Sequence, residues 1–223
     1  MKYNKNWFYK LDYKYRKYAI RNFMSFIVGG MAIIFVMSIM MASSGINLIG
    51  ALTFDKSEIM NGQIWRIVSF IYIPPDTSTF FIIFALYFYW LIGNSLEHEW
   101  GALKFNVFYI FGIIGTITGG IIMGSATNSF LNLSLFLAFA ILFPEFEVRL
   151  FFMIPVKVKW LAYIDVVYLI YAFIISEWTI RIAILISIIN IILFFWNTLL
   201  NQLKRIFRNR RHKFQTRNYW KQK

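Results

Sequence analysis

Long apolar runs, separated by short polar segments, dominate the sequence. Six runs stand out, at residues 23–42, 80–96, 105–123, 130–143, 160–175 and 180–200. A helix needs about 20 apolar residues to cross the hydrocarbon core of a bilayer. The pattern therefore predicts an all-α, polytopic membrane protein with six transmembrane helices. The fourth and fifth runs are short for complete spans, which fits helices that tilt or are shielded from lipid by their neighbours.

Two segments outside these runs are amphipathic. Near the N-terminus, large apolar residues from Trp7 to Tyr18 repeat at helical spacing with lysines between them, which predicts a helix lying in the headgroup layer. Between the first two runs, apolar positions from Ile64 to Ile71 precede Pro74-Pro75. We expect this second stretch to be a helix half-inserted in the outer leaflet.

The composition excludes the other broad classes of protein. Of 223 residues, 59 % are hydrophobic and 15 % are charged, whereas a soluble domain is about 45–50 % apolar and about 25 % charged. So high an apolar content excludes intrinsic disorder. Because cysteine is absent, a disulfide scaffold, thiol catalysis and thiolate metal sites are excluded as well.

Basic residues are distributed unevenly between the two sides of the predicted bundle. The chain carries 23 Lys and Arg against 10 Asp and Glu. Twenty of the basic residues lie in the two tails and after runs two and four, whereas Lys56, Arg66 and Arg181 lie on the other side. The positive-inside rule then places both termini in the cytoplasm. We therefore expect a multi-pass protein of the plasma (inner) membrane.

The same pattern divides the chain into three parts. Residues 1–22 form a basic, aromatic interfacial segment, residues 23–200 the membrane domain and residues 201–223 a basic cytoplasmic tail. The expected partners are the bilayer and, at the two basic termini, anionic lipids. Nucleic acid is the other interpretation of a basic tail. Since membrane orientation alone requires this charge, no nucleic acid is expected.

Glycines and one acidic residue are the notable features within the runs. Gly112, Gly115, Gly119, Gly120 and Gly124 stud the third run, and two pairs have the small-xxx-small spacing of closely packed membrane helices. Close packing is the simpler interpretation, and the lining of a substrate path is the alternative. Asp165 lies in the fifth run, and a charge in the membrane is a functional candidate by default. A structural partner such as Lys159 or Tyr168 is the other explanation.

The segment Glu97-His98-Glu99 contains three residue types that bind metals. Consecutive residues of a helix point in different directions and cannot converge on one ion. No metal site is therefore expected, and the other histidine, His212, lies in the basic tail.

Four motifs follow one another in a characteristic order. They are Gly62-Gln63-Ile64-Trp65-Arg66 after the first run, Gly93…Glu97…Gly101 at the end of the second, the glycine-rich third run, and Pro155-Val156-Lys157-Val158-Lys159-Trp160 before the fifth. This order resembles the rhomboid family, which includes intramembrane serine proteases and non-proteolytic, Derlin-like relatives. The resemblance covers about residues 45–200 and implies a six-helix rhomboid-like bundle. It also implies scaffold roles for Trp65, Arg66, Gly93, Glu97, Gly101, Gly115, Gly119 and Pro155.

The sequence departs from the proteolytic rhomboids at each catalytic position. Rhomboid proteolysis needs a serine in a G-x-S-G setting at the start of span four and a histidine on span six that takes its proton. Ser129 and Ser134 are the candidate nucleophiles, but neither has a neighbouring glycine, and run six contains no histidine. The family's two oxyanion donors on span two correspond to Phe81 and Ala85, whose side chains cannot donate a hydrogen bond.

The preferred hypothesis is a catalytically inactive, rhomboid-like protein that binds or handles transmembrane client proteins and needs no cofactor or metal. An Ile-, Lys- and Asn-rich composition suits a bacterial chain. One alternative is an active intramembrane serine protease with an atypical site at Ser129 or Ser134. The other is a small transporter built around Asp165 and the glycines of the third run, although the sequence lacks the paired broken helices of inverted-repeat carriers.

Overall fold

A computed structural model of the chain describes residues 14–75, 78–150 and 154–195. Its six long helices are α1 (Phe23–Ala42), α2 (Thr79–Trp100), α3 (Ala102–Met123), α4 (Ser129–Leu142), α5 (Val158–Ile175) and α6 (Trp178–Phe195). Each predicted apolar run corresponds to one of these helices, and the first run and α1 share both bounds. The end of the sixth run, the basic tail and most of the predicted N-terminal helix lie outside the described residues.

Four helical segments of the described residues are long and apolar enough to cross a membrane. They are Arg16–Ala42, Ala102–Met123, Val158–Ile175 and Trp178–Phe195. The apolar helix α4 has only 14 residues, or about 21 Å of length. Helix α2 has 22 residues, but its last two turns include polar and acidic side chains. The structure thus supports an all-α membrane protein, and four of the six predicted spans meet the requirements for crossing.

Helix α4 is the most buried helix of the bundle. Nine of its 14 residues are buried, among them two polar ones, Asn132 and Ser134. It packs against α2, α3 and α5. By contrast, only three of the 18 residues of α5 are buried, and large apolar side chains cover its outside. An apolar exterior of this kind suits contact with lipid rather than with water.

The loop between α1 and α2 folds into short elements. It contains the helical turns Leu48–Leu52, Lys56–Met60 and Arg66–Ser69, followed by the 3-10 turn Phe70–Tyr72. Strand β1 (Phe54–Asp55) of this loop pairs antiparallel with β2 (Ser125–Ala126), which lies between α3 and α4. The loop is therefore fastened to the start of α4, and we call this part of the molecule the β1–β2 end.

The expected amphipathic helix over Ile64–Ile71 is shorter than its pattern suggested. One α-helical turn, Arg66–Ser69, passes directly into the 3-10 turn Phe70–Tyr72. Ile64, Trp65 and Val68 are exposed, whereas Phe70 and Ile71 are buried. The segment therefore does have two faces, one directed into the protein and one directed outward.

A β-hairpin occupies the opposite end of the bundle. Strands β3 (Glu147–Leu150) and β4 (Ile154–Lys157) pair antiparallel between α4 and α5, and we call this part the β3–β4 end. The last turn of α2 lies beside the first residues of α1 there, because Glu97 hydrogen-bonds to Asn22. Successive long helices thus run in opposite directions between the β1–β2 end and the β3–β4 end, as a polytopic bundle requires.

Candidate functional site

A buried arginine organises the loop at the β1–β2 end. The Arg66 guanidinium donates from Nη1 to the carbonyl oxygens of Gly50 and Thr53, both at 2.7 Å, and from Nε to Gln63 Oε1 at 2.8 Å. Arg66 is only 8 % exposed. Burying a charge is costly unless its hydrogen-bonding groups are paired, and three of the five N–H groups of this guanidinium are paired with acceptors. Arg66 therefore closes the loop upon itself.

Trp65 contributes to the same loop from the outward side. Its indole Nε1 donates to the carbonyl oxygen of Ala51 at 3.2 Å, and its ring is half exposed. The side chains of Ile64, the residue before it, and of Val68, three residues later, are exposed as well. The Trp65-Arg66 pair thus hydrogen-bonds to the same loop from its outward side and from its buried side.

Buried Asn128 fastens this loop to α4. Its Nδ2 donates to the carbonyl oxygens of Ile71 at 3.1 Å and Ile73 at 2.8 Å. Nearby, Phe54 is fully buried and meets Phe70 edge to face, with ring centroids 5.8 Å apart. Asn128 was not among the residues selected from the sequence; the available signal was an Asn two residues before an apolar run, where the N-cap of a helix is common.

Glu97 connects α2 to α1 at the β3–β4 end. Its carboxylate accepts hydrogen bonds from the backbone N–H groups of Asn22 at 2.7 Å and Phe23 at 3.1 Å. Gly93 packs against α1 as well, because a Cβ there would lie 2.2 Å from the side chain of Met24. Gly101 has a φ of +83° in the turn from α2 to α3. The Gly93, Glu97 and Gly101 motif thus forms a helix-joining unit.

His98 and Glu99, the two residues after Glu97, have exposed side chains. Since Glu97 is directed at the backbone of α1, the three residues do not share a ligand position. Within the ranges that the structure describes, no group of three His, Cys, Asp or Glu residues could hold a metal ion.

The glycines of α3 allow close packing on two sides. A Cβ at Gly115 or Gly119 would lie 2.6 or 2.9 Å from the side chain of Ile186 on α6. A Cβ at Gly120 would lie 2.7 Å from the Phe54 ring and 2.8 Å from Cβ of Ala126. These distances are shorter than real Cβ contacts, so side chains there require the neighbours to move.

A cavity of about 140 Å³ lies between α3, α4 and α6. It is reached from the β1–β2 end, where exposed Ser125, Thr127 and Thr179 belong to its wall. Thr116, Ser187 and Asn190 line it within the bundle, along with Gly112 and Gly119. Polar groups from α3 and α6 therefore line the same cavity. Their proximity could not be predicted from the sequence alone.

The two candidate nucleophiles occupy different environments. Ser129 is the exposed first residue of α4, and the N-cap position belongs to Asn128. Ser134 is 1 % exposed and donates its hydroxyl proton to the carbonyl oxygen of Leu131 at 2.7 Å. In the described part of the chain, neither serine hydrogen-bonds to a histidine, lysine or carboxylate. A serine hydroxyl without such a partner is a weak nucleophile.

Asp165 is half buried near the middle of α5. The structure pairs it with neither Lys159 nor Tyr168, the two partners considered from the sequence. Lys159 is bonded to Glu145 instead, and Tyr168 is 60 % exposed. Among the described residues, Asp165 has no hydrogen bond or ion pair.

Glu145 joins the start of α5 to the segment after α4. Lys157 Nζ lies 2.8 Å from Glu145 Oε2, and Lys159 bonds to the other carboxylate oxygen. The two lysine hydrogen bonds lower the pKa of Glu145 from 4.5 to about 2, and the carboxylate in turn raises the pKa of Lys157. Exposed Pro155 lies in β4, opposite Arg149 of β3.

An apolar cleft of about 760 Å³ opens between α4, α5 and α6. Its wall is almost entirely aliphatic and aromatic; Ala162, Val166 and Ile170 represent α5, and Ile184 and Ile188 represent α6. Lys159 is the one ionisable group apart from the Tyr163 phenol, and it lies at the β3–β4 end of the cleft. The cleft is therefore a surface for apolar side chains.

No protein-family model matches the chain, and no curated protein matches it. The likeness to rhomboids accordingly rests on the sequence motifs alone.

Proposed function

We propose that the chain is a catalytically inactive, rhomboid-like integral membrane protein that binds transmembrane segments of client proteins. The observation that carries the proposal is the apolar cleft between α4, α5 and α6. A cleft of about 760 Å³ with aliphatic walls offers a neighbouring helix the van der Waals packing on which helix association in lipid depends. Because most of α5 is exposed, a client helix reaches this surface from the bilayer.

The environments of the two serines support the proposal that the protein is catalytically inactive. Ser134 is buried and bonded to its own helix, and exposed Ser129 has no base beside it in the described residues. His98, the one histidine among those residues, lies in the last turn of α2, at the other end of the molecule from Ser129. A serine hydroxyl without a positioned base is a weak nucleophile.

We propose further that all six helices belong to the membrane domain, with the β3–β4 end in the cytoplasm of a bacterial cell. Eight of the eleven Lys and Arg residues in the described ranges lie at that end, and Lys56, Arg66 and Arg181 lie at the other. The positive-inside rule favours this orientation. Helix α4 is short but surrounded by other helices, so the protein rather than lipid solvates much of it.

Single cysteines test the orientation, because the natural chain has none. Ser44→Cys lies just beyond α1 at the β1–β2 end, and Glu99→Cys lies in the last turn of α2. An impermeant maleimide added to intact cells should label Ser44→Cys, and should label Glu99→Cys only after the membrane is opened. The reverse pattern contradicts the orientation, and labelling of both in intact cells contradicts the six-span topology.

Site-specific photocrosslinking tests client binding. A photoreactive amino acid at Ile170 or Ile188 stands in the cleft, and one at Ile33 stands on the exposed face of α1 as the matched control. Cells that carry these variants should give membrane-protein adducts from the two cleft positions and few from Ile33. Equal yields at all three positions would mean random collision in the bilayer, and the absence of adducts would refute the proposed function.

A further inference from the structure

The cavity between α3, α4 and α6 presents hydrogen-bond acceptors whose own donors are already used. Thr116 donates its hydroxyl proton to the carbonyl oxygen of Gly112 at 2.8 Å. Ser187 donates its hydroxyl proton to the carbonyl oxygen of Phe130 at 3.0 Å. Each hydroxyl oxygen retains lone pairs, so both residues offer the cavity an acceptor and not a donor.

Asn190 adds a third acceptor, and this one has no partner. It is 5 % exposed, and its Oδ1 is buried without a hydrogen bond in the described structure. Its Nδ2 is directed at the carbonyl oxygen of Phe108 at 3.4 Å. Rotating the amide by 180° would set two oxygens against each other, so Phe108 fixes which end of the amide is free. A buried acceptor without a partner is destabilising, and a donor in the cavity offsets this cost.

The cavity also lacks charge. None of the fifteen described residues that line it is ionisable, and a charged guest would lose its hydration without gaining a counter-charge from them. A neutral guest that donates more than one hydrogen bond fits this wall best. We infer that the cavity binds the –NH₂ group of a primary carboxamide, whose two N–H donors are shared among the acceptor oxygens of Asn190, Ser187 and Thr116.

Two sources of such a group are compatible with the position of the cavity. A small neutral amide can enter from the β1–β2 end, past Thr127 and Thr179. Alternatively, an Asn or Gln side chain of a client segment supplies the same group, and this second source rests on the proposed function. Both sources present the same primary carboxamide, and separate experiments distinguish them.

Cysteine protection tests the first source. Thr179→Cys lies at the mouth of the cavity, and Ser44→Cys is exposed at the same end of the bundle outside it. Propionamide should slow the labelling of Thr179→Cys by a thiol reagent several-fold and leave Ser44→Cys unchanged. Butanone, which has the same shape without the N–H donors, should protect neither. Equal protection by butanone would overturn the inference.

Two substitutions test whether the protection by propionamide depends on the residues of the cavity. Asn190→Leu preserves approximate volume and removes the free acceptor, so propionamide should no longer protect Thr179→Cys. Thr116→Val is isosteric, and the Thr116 hydroxyl that it removes bonds only within its own helix in the described structure. This variant therefore replaces Asn190→Leu in the experiment if Asn190→Leu does not fold. Loss of one hydrogen bond should weaken protection about two- to tenfold. Unchanged protection in a folded variant would overturn the inference.

Client-like peptides test the second source. Leucine-rich transmembrane peptides with either Gln or Leu in the outer third are reconstituted with the protein, and binding is followed by energy transfer. A preference for the Gln peptide that Thr116→Val or Asn190→Leu abolishes identifies the client as the source. If neither peptide binds, the proposed function fails while the propionamide result still decides the inference. If neither propionamide nor Gln is preferred, the cavity holds only water and the inference is wrong.

Discussion

The Glu97 carboxylate accepts a hydrogen bond of 2.7 Å from the backbone N–H of Asn22. Asn22 has a φ of +54° and no side-chain cap of its own, so the first N–H groups of α1 depend on an acceptor from another helix. The end of α2 thus satisfies the beginning of α1. A negative charge at this point also interacts favourably with the α1 dipole.

Glu97→Gln should destabilise the protein by about 1–2 kcal/mol, because a hydrogen bond to a charged group is stronger than one to a neutral group. Glu99→Gln is the control, since Glu99 is exposed two residues further on. Unfolding in mixed detergent, followed by circular dichroism, measures both. If the two variants lose the same stability, the capping role is incorrect.

Arg66→Lys should loosen the loop at the β1–β2 end. A lysine ammonium cannot reproduce the planar arrangement with which Arg66 reaches Gly50, Thr53 and Gln63. We expect a loss of about 2 kcal/mol, as for one or two hydrogen bonds to a charged group. Protease sensitivity of the loop and the unfolding midpoint report the effect. Arg149→Lys, at an exposed arginine of β3, should change neither.

Two glycine substitutions should have opposite effects. Gly120→Ala places a Cβ against the Phe54 ring and Ala126 and should cost about 1–3 kcal/mol. Gly29→Ala, within α1, meets nothing within 4 Å and should stabilise the helix by about 0.5–1 kcal/mol. Unfolding midpoints measure both. A stabilising Gly120→Ala would show that α3 and β2 do not pack as described.

The contribution of Glu145 to stability should depend on pH in the acid range. Its pKa is 4.5 when unpaired and about 2 beside Lys157 and Lys159. A lowered folded-state pKa means that the contribution is complete above about pH 4.5 and disappears as the pH falls towards 2. The stability difference between the natural protein and Glu145→Gln should follow this course. Glu147→Gln, on the same hairpin but outside the two salt bridges, is the control variant.

The long helices could be predicted because apolar runs are a local property of the sequence. The run at 23–42 and α1 share both bounds, and the other described bounds differ by at most four residues. By contrast, β1 pairs with β2 about 70 residues later, and two-residue strands carry no pattern of their own. In the described ranges, four helices meet the requirements for crossing a membrane, which is fewer than the six expected spans.

The motif residues could be selected from the sequence, but their contacts could not. Arg66 binds the carbonyl oxygens of Gly50 and Thr53, and Glu97 binds backbone N–H groups. Backbone partners leave no trace in residue type. For Asp165, the sequence suggested a partner that the structure does not show. Lys159 is near Asp165 in sequence, but it bonds to Glu145 instead.

The proposal that this protein binds clients without cleaving them is tested most directly by a reporter-cleavage assay in liposomes. The purified protein is reconstituted with a panel of transmembrane reporters, and an active rhomboid protease is reconstituted in parallel. The reporters should remain intact with this protein and be cut by the active protease. Cleavage that disappears in Ser129→Ala or Ser134→Ala would contradict the proposed function and identify the nucleophile.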